Sequence, residues 1–312
     1  MAVLSTDEIL ACKILTAHEQ IAPKTIKQAM NSPESERWQA AIDSENQSLF
    51  TNNTLTVMRR RTIQARVLPM NGIFKVKANA DGSVERFKFR WTVMGNLQRE
   101  GIDFKETFAP VSRNSTVRTI FAMAASSGHI IHQRDVDTAF LYGEMPKEEA
   151  PVYVALPMGY TVPKHLQHVP AHELACRVDK ALYGLRQSSR LWNKSIDSTM
   201  KSLDFKASKF DPCLYIRGEG LSRMFVAIHV DDLIISGPDE ATITVFKKQL
   251  AQRYNMKDLG LLKYCLVCGN TATSRPPARE SGQVHPRHPS QIWHADSRAD
   301  GCAHGAQAQT HK

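Results

Sequence analysis

Two apolar runs, Phe225-Val226-Ala227-Ile228-His229-Val230 and Leu233-Ile234-Ile235, are separated only by Asp231-Asp232, and Gly237-Pro238 closes the unit. The pattern reads as two strands meeting at a tight junction with two carboxylates at its tip. A bare Asp-Asp dipeptide is usually a solvated turn. Apolar residues on both sides change that reading. Burying such a hairpin while projecting two acids is electrostatically costly unless a cation neutralises them.

A third acid has the same setting. Ile130-Ile131-His132-Gln133-Arg134-Asp135-Val136 reads as a strand carrying Asp135 at its end. Three carboxylates from two neighbouring strands would make a site for two Mg²⁺ ions, with Mn²⁺ as an alternative. Such a pair activates an attacking hydroxyl and stabilises a leaving pyrophosphate.

Positive charge is concentrated elsewhere. Residues 58–113 hold twelve Lys and Arg against five acids, a net +7, most of the chain's formal +9. Within this stretch Arg86-Phe87-Lys88-Phe89-Arg90-Trp91-Thr92-Val93 alternates strictly, and Ile73-Phe74-Lys75-Val76-Lys77 does the same. A period of two predicts a strand pair around the turn residues Asn79-Ala80-Asp81-Gly82. Lys75, Lys77, Arg86, Lys88 and Arg90 would line one side. That side suits phosphates, although a solvated hairpin face would look the same.

The other periodic segments are helical. Trp38, Ile42, Glu45 and Leu49 follow a start at Ser32-Pro33, and Asn52-Asn53 ends them. Ser115 is the expected cap of a helix carrying Val117, Ile120, Phe121 and Ala124. Trp192, Ile196, Met200 and Leu203 mark another, as do Ile243, Phe246 and Leu250. Residues 145–175 are loop-rich, with five prolines. Residues 1–30 carry little pattern. The reading divides the chain into segments 1–30, 31–266 and 267–312, the last expected to be disordered or frame-shifted because it lacks aliphatic periodicity. Cys265-x₂-Cys268 followed by His285-x₂-His288 has nearly the layout of a zinc finger. Its gap and His spacing fall outside the usual ranges, and Pro286 and Pro289 oppose the helix that would present the histidines.

Apolar residues at 42% allow a sizeable core. The longest apolar run, Ile120–Ala125, is far too short to span a bilayer. The first residues carry acids where a signal peptide carries bases, and the six cysteines are sparse. The expectation is an intracellular protein, cytoplasmic or nuclear, with no membrane partner and a polyanion as ligand. The sequence leaves the oligomeric state unknown.

Several blocks in one order carry a family likeness over roughly Met30–Leu266. They include Trp38-Gln39-Ala40-Ala41, Phe74-Lys75-Val76-Lys77, Gly101-Ile102-Asp103-Phe104 through Ser112-Arg113, and His132-Gln133-Arg134-Asp135-Val136 with Ala139-Phe140-Leu141-Tyr142-Gly143. Leu182-Tyr183-Gly184-Leu185-Arg186-Gln187 with Arg190 and Trp192, then Val230-Asp231-Asp232 and Met256-Lys257-Asp258-Leu259-Gly260, complete the set. In these blocks the chain resembles the reverse transcriptase domain of copia-type (pseudovirus) long-terminal-repeat retrotransposon polyproteins.

The resemblance implies an α+β, right-hand polymerase with fingers and palm, its thumb absent or truncated. It implies an RNA-directed DNA polymerase, a nucleotidyltransferase that extends a primer 3′-hydroxyl on an RNA or DNA template with deoxynucleoside triphosphates. Asp135, Asp231 and Asp232 would be its metal-binding catalytic acids. Phe140 would lie under the deoxyribose and exclude a ribose 2′-hydroxyl, Gln187 would lie near the sugar, and Lys88 and Arg90 would meet the triphosphate. The helices built on Trp38 and Trp192 would be structural. The alternative is an inactive, truncated remnant that only binds nucleic acid.

The chain departs from the family pattern in places. His229 stands where Tyr usually precedes Val-Asp-Asp, Met94 replaces a lysine, and Ser188-Ser189 replaces Ala-Pro. Residues around Glu148–Tyr153 carry an extra residue or two. The family-like pattern stops near Leu266, with no thumb or ribonuclease H pattern following.

Overall fold

Residues 22–79 and 83–262 are described by the computed structural model. Residues 80–82 of the predicted turn lie outside these bounds, as do residues 1–21, the segment 267–312 and the four zinc-finger-like residues. The described chain is a mixed α+β protein, as the resemblance implied.

Helix α1 (Ile26–Met30) lies where the sequence showed little pattern, and the Thr25 hydroxyl caps it by accepting the Gln28 N–H. Helix α2 (Ser35–Thr51) buries Trp38, Ile42 and Leu49 at the expected spacing and ends at Asn52. Strands β1 (Leu55–Arg59), β2 (Val67–Leu68), β3 (Met70–Ala78) and β4 (Val84–Val93) follow.

Helix α3 (Asn114–Ser127) starts before the expected cap. Arg113 takes the cap position and Ser115 caps nothing. Its role falls to a residue far along the chain: the Asp211 carboxylate accepts the Arg113 N–H at 3.0 Å and the Thr116 hydroxyl. Burial would raise the Asp211 carboxyl, but these bonds and the Cys213 N–H outweigh it and hold the group below its ordinary range.

Strands β5 (Ile130–Val136), β6 (Tyr153–Ala155) and β7 (Leu174–Val178) precede helix α4 (Ser188–Ser202). Strands β8 (Lys206–Ala207), β9 (Leu214–Arg217), β10 (Met224–His229) and β11 (Asp232–Gly237) lead to helix α5 (Glu240–Ala251), which Asp239 caps at the Thr242 N–H, 2.7 Å. Strand β12 (Met256–Leu261) is the last described element.

An antiparallel six-stranded sheet runs in the order β12-β5-β11-β10-β9-β8. Both faces are covered at its central strands, which explains why β10 and β11 read as apolar runs without polar alternation. Val226, Ile228, Leu233 and Ile235 pack with Ile196 and Met200 of α4 and Ile243, Phe246 and Leu250 of α5. Phe225, Ala227 and Ile234 pack with Val117 and Ile120 of α3 on the other side.

A second core forms around α2, the β3–β4 hairpin and a four-stranded sheet ordered β1-β7-β6-β2. The hairpin turns its apolar face to α2: Trp38 meets Phe74 edge-on at 5.2 Å and Phe87 at 4.5 Å. The Trp91 indole N–H donates to Asn46 Oδ1 at 2.8 Å, so a polar atom buried in this core is satisfied. No helix among the described residues is long and apolar enough to cross a membrane.

Candidate active site

The hairpin register sets Lys75 opposite Lys88, Lys77 opposite Arg86 and Ile73 opposite Arg90. Directly paired residues share a face, so the predicted basic face is formed. Its charges crowd one another. Burial, then Arg90, Arg86 and Lys77, push the Lys88 ammonium down to about 8, against the pull of Asp135. Near this face lies Glu45, a member of the expected α2 pattern. Its Oε1 accepts the Trp91 N–H at 3.3 Å, and burial raises its carboxyl despite that bond and the nearby Arg90 and Lys88.

The acids come together on the six-stranded sheet. Asp232, the first residue of β11, is paired directly with Asp135 near the end of β5. Asp231 lies in the two-residue connection from β10, and its carbonyl accepts the Val136 N–H at 2.9 Å. Val230, the other connecting residue, has φ 60°, a left-handed conformation that a β-branched residue adopts only under constraint. The Trp192 indole N–H donates to its carbonyl at 2.6 Å.

Like charges directly opposed across a sheet repel. Burial, followed by Asp231, Asp232 and Asp137, pushes the Asp135 carboxyl up to about 6, with Lys88 opposing. Burial also raises Asp232; a hydrogen bond from Gln133 Nε2, 3.2 Å to its Oδ1, acts the other way. Gln133 was not singled out in the sequence, although it lies two residues before Asp135 on the same strand face, where period two would have found it.

Basic and acidic groups line one cavity of about 890 Å³. Lys77, Arg86, Lys88 and Arg90 form one wall, and Asp135, Asp137, Asp231 and Asp232 another. Lys257 and Leu259 of β12 add a third side, with Lys257 in register with Asp135. Among the described residues, no group of three or more His, Cys, Asp or Glu side chains is gathered into an arrangement that could hold a metal ion. The donor chemistry nevertheless fits a hard divalent cation. The groups are carboxylate oxygens on adjacent strands and on the connection before β11, and their mutual repulsion is what a bound cation relieves.

Two expected nucleotide-binding residues lie off this cavity. Phe140, in a short 3₁₀ turn (Ala139–Tyr142), is half-buried and meets the Tyr183 ring at 5.0 Å. Gln187 is 3% exposed. Its amide accepts from Gln98 Nε2 at 3.1 Å and donates to the Asp103 carbonyl at 3.3 Å. His229 has the Ser112 hydroxyl 3.5 Å from its Nδ1. Met94 lines a different cavity, with Gly95 and Gly184. Trp192 and Trp38 are buried, and Trp192 additionally braces the Asp231 turn.

Residues 52–270 match the family described as reverse transcriptase (RNA-dependent DNA polymerase). The chain is 34% identical over 241 residues to the retrovirus-related Pol polyprotein from transposon TNT 1-94 of Nicotiana tabacum, covering 76% of this chain and 17% of that protein. It is 32% identical over 244 residues to the corresponding polyprotein from transposon RE1 of Arabidopsis thaliana, covering 78% and 16%. A Gag-Pol polyprotein of transposon Ty1-ER2 from Saccharomyces cerevisiae is 25% identical over 190 residues, or 58% and 10%. The chain thus spans about a sixth of the length of the first two relatives. The coverage of the family match and the shared order of motifs lead to one conclusion: the chain belongs to the reverse transcriptase (RNA-dependent DNA polymerase) family, in the branch found in copia-type transposon polyproteins.

Proposed function

We propose that the chain is the fingers and palm of an RNA-directed DNA polymerase that extends a primer 3′-hydroxyl along a nucleic-acid template. The observation that carries this reading is the shared cavity, with Asp135, Asp231 and Asp232 facing a basic strand face. Asp135, Asp231 and Asp232 would hold divalent cations. When bound, these supply the Lewis acidity that lowers the cost of ionising the attacking hydroxyl and of releasing pyrophosphate.

The chain's own residues do the rest. Lys88 and Arg90 neutralise and orient the triphosphate of the incoming deoxynucleotide. Phe140 sets the room left at the sugar, so a deoxyribose fits and a ribose does not. Gln133 holds Asp232 by its amide. Gln187 serves the sugar-binding region through the buried amide network that it makes with Gln98 and Asp103.

Primer extension tests the reading. With poly(rA)/oligo(dT), Mg²⁺ and labelled dTTP, the chain should incorporate nucleotide, and Asp231→Asn should lower incorporation at least 100-fold while template binding is kept. Template binding without incorporation by the unaltered chain would instead establish the binding-only remnant.

A further inference from the structure

Tyr183, in the turn formed by residues 182–187, meets both Arg90 and Phe140. The Arg90 guanidinium lies over the Tyr183 ring, 4.3 Å from its centroid. The Phe140 ring meets the same ring edge-to-face at 5.0 Å. Gln187, at the end of the turn, lies in a buried amide network with Gln98. We infer that Tyr183 is a positioning residue that ties the sugar gate to the triphosphate clamp, so that the orientation of Arg90 and the position of Phe140 are set together. This inference rests on the polymerase reading above.

Tyr183 is itself firmly placed. Its carbonyl accepts the Val93 N–H at 2.8 Å, so the turn is pinned to β4, the strand that carries Arg90. Gly184 follows with φ 91°, and a Cβ there would lie 2.1 Å from the Val93 carbonyl oxygen. A Cβ at Gly95 would lie 1.9 Å from the Gly184 carbonyl oxygen. Two backbones therefore touch, and only glycines permit it. The ring remains a neutral phenol, pushed up to about 12 by burial against the pull of Arg90, with Asp231, Glu45 and Asp135 adding to the rise. A neutral, electron-rich face is what a guanidinium prefers.

Two ring contacts restrain two otherwise free groups. Arginine has large rotamer freedom, and stacking removes much of it before a phosphate arrives. Phe140, only half-buried, meets the Tyr183 ring along one edge. Removing that ring leaves space into which Phe140 can retreat, and a retreating gate admits a 2′-hydroxyl.

The test is the binding of dUTP and UTP to the chain on poly(rA)/oligo(dT), with Ca²⁺ replacing Mg²⁺ so that nothing is consumed. Tyr183→Leu should weaken dUTP binding about tenfold and shrink the preference for dUTP over UTP about tenfold, whereas Tyr183→Phe keeps both. Arg90→Lys breaks the stack from the other side and keeps the charge. It should also shrink the preference, although Arg90 acts on phosphates common to both nucleotides. A preference unchanged in Tyr183→Leu and Arg90→Lys, or an equal loss for both nucleotides, would overturn the inference and leave the polymerase reading standing. No preference for dUTP in the unaltered chain would overturn both the gate and the inference.

Discussion

Lys88 shows what burial and neighbours do to a single residue. Its ammonium titrates near 8 because burial and three cations outweigh Asp135. A lysine with that value is charged below pH 8 and neutral above it, so the free chain loses one positive charge as pH rises through that point. The KM for dTTP should therefore rise between pH 7.5 and 9, and Lys88→Arg, which keeps its charge, should flatten the rise. Steady-state kinetics across that range check it. Residues of this kind differ in how far the sequence reveals them. Asp135, Asp231 and Asp232 were legible because acids at the ends of apolar strands are rare and costly. Tyr183 was not, since its part depends on Arg90 and Phe140, 93 and 43 positions away in the chain. Gln187 carried the opposite difficulty: its place in the motif does not disclose that its amide is buried.

The β10–β11 hairpin was the most legible element, because burial on two faces leaves unbroken apolar runs. Its tip was less so. The strain at Val230 is a backbone property that no periodicity reports, and the brace comes from α4. Trp192 also packs against the Tyr254 ring at 5.3 Å. Trp192→Phe keeps an aromatic ring there but removes the N–H to the Val230 carbonyl. It should cost about 1 kcal/mol of stability, the usual worth of one such hydrogen bond, and more in incorporation than in template binding. Denaturant melts and primer extension on the same variant would show it. The start of α3 was misread for a related reason. Asp211, nearly 100 residues away, replaces the local cap that Ser115 was expected to provide.

For the whole molecule, the formal net charge of +9 conceals the useful fact. Charge is separated, with a basic hairpin packed on one core and an acidic strand end on the other, facing each other across one cavity. The mixed α+β class followed from motif order, and periodicity marked the apolar helix and strand positions that the cores bury. How closely the 182–187 turn approaches the end of β4 did not, because that is set by glycine backbones at 95 and 184. Crowded carboxylates should make the chain less stable than it would be with a cation among them. Thermal unfolding with and without Mg²⁺ measures it directly. The midpoint should rise by a few degrees in millimolar Mg²⁺, an Asp135→Asn variant should be more stable than the parent in chelator, and that variant should show no Mg²⁺ response. A parent chain indifferent to Mg²⁺, or a variant that responds as the parent does, would contradict it.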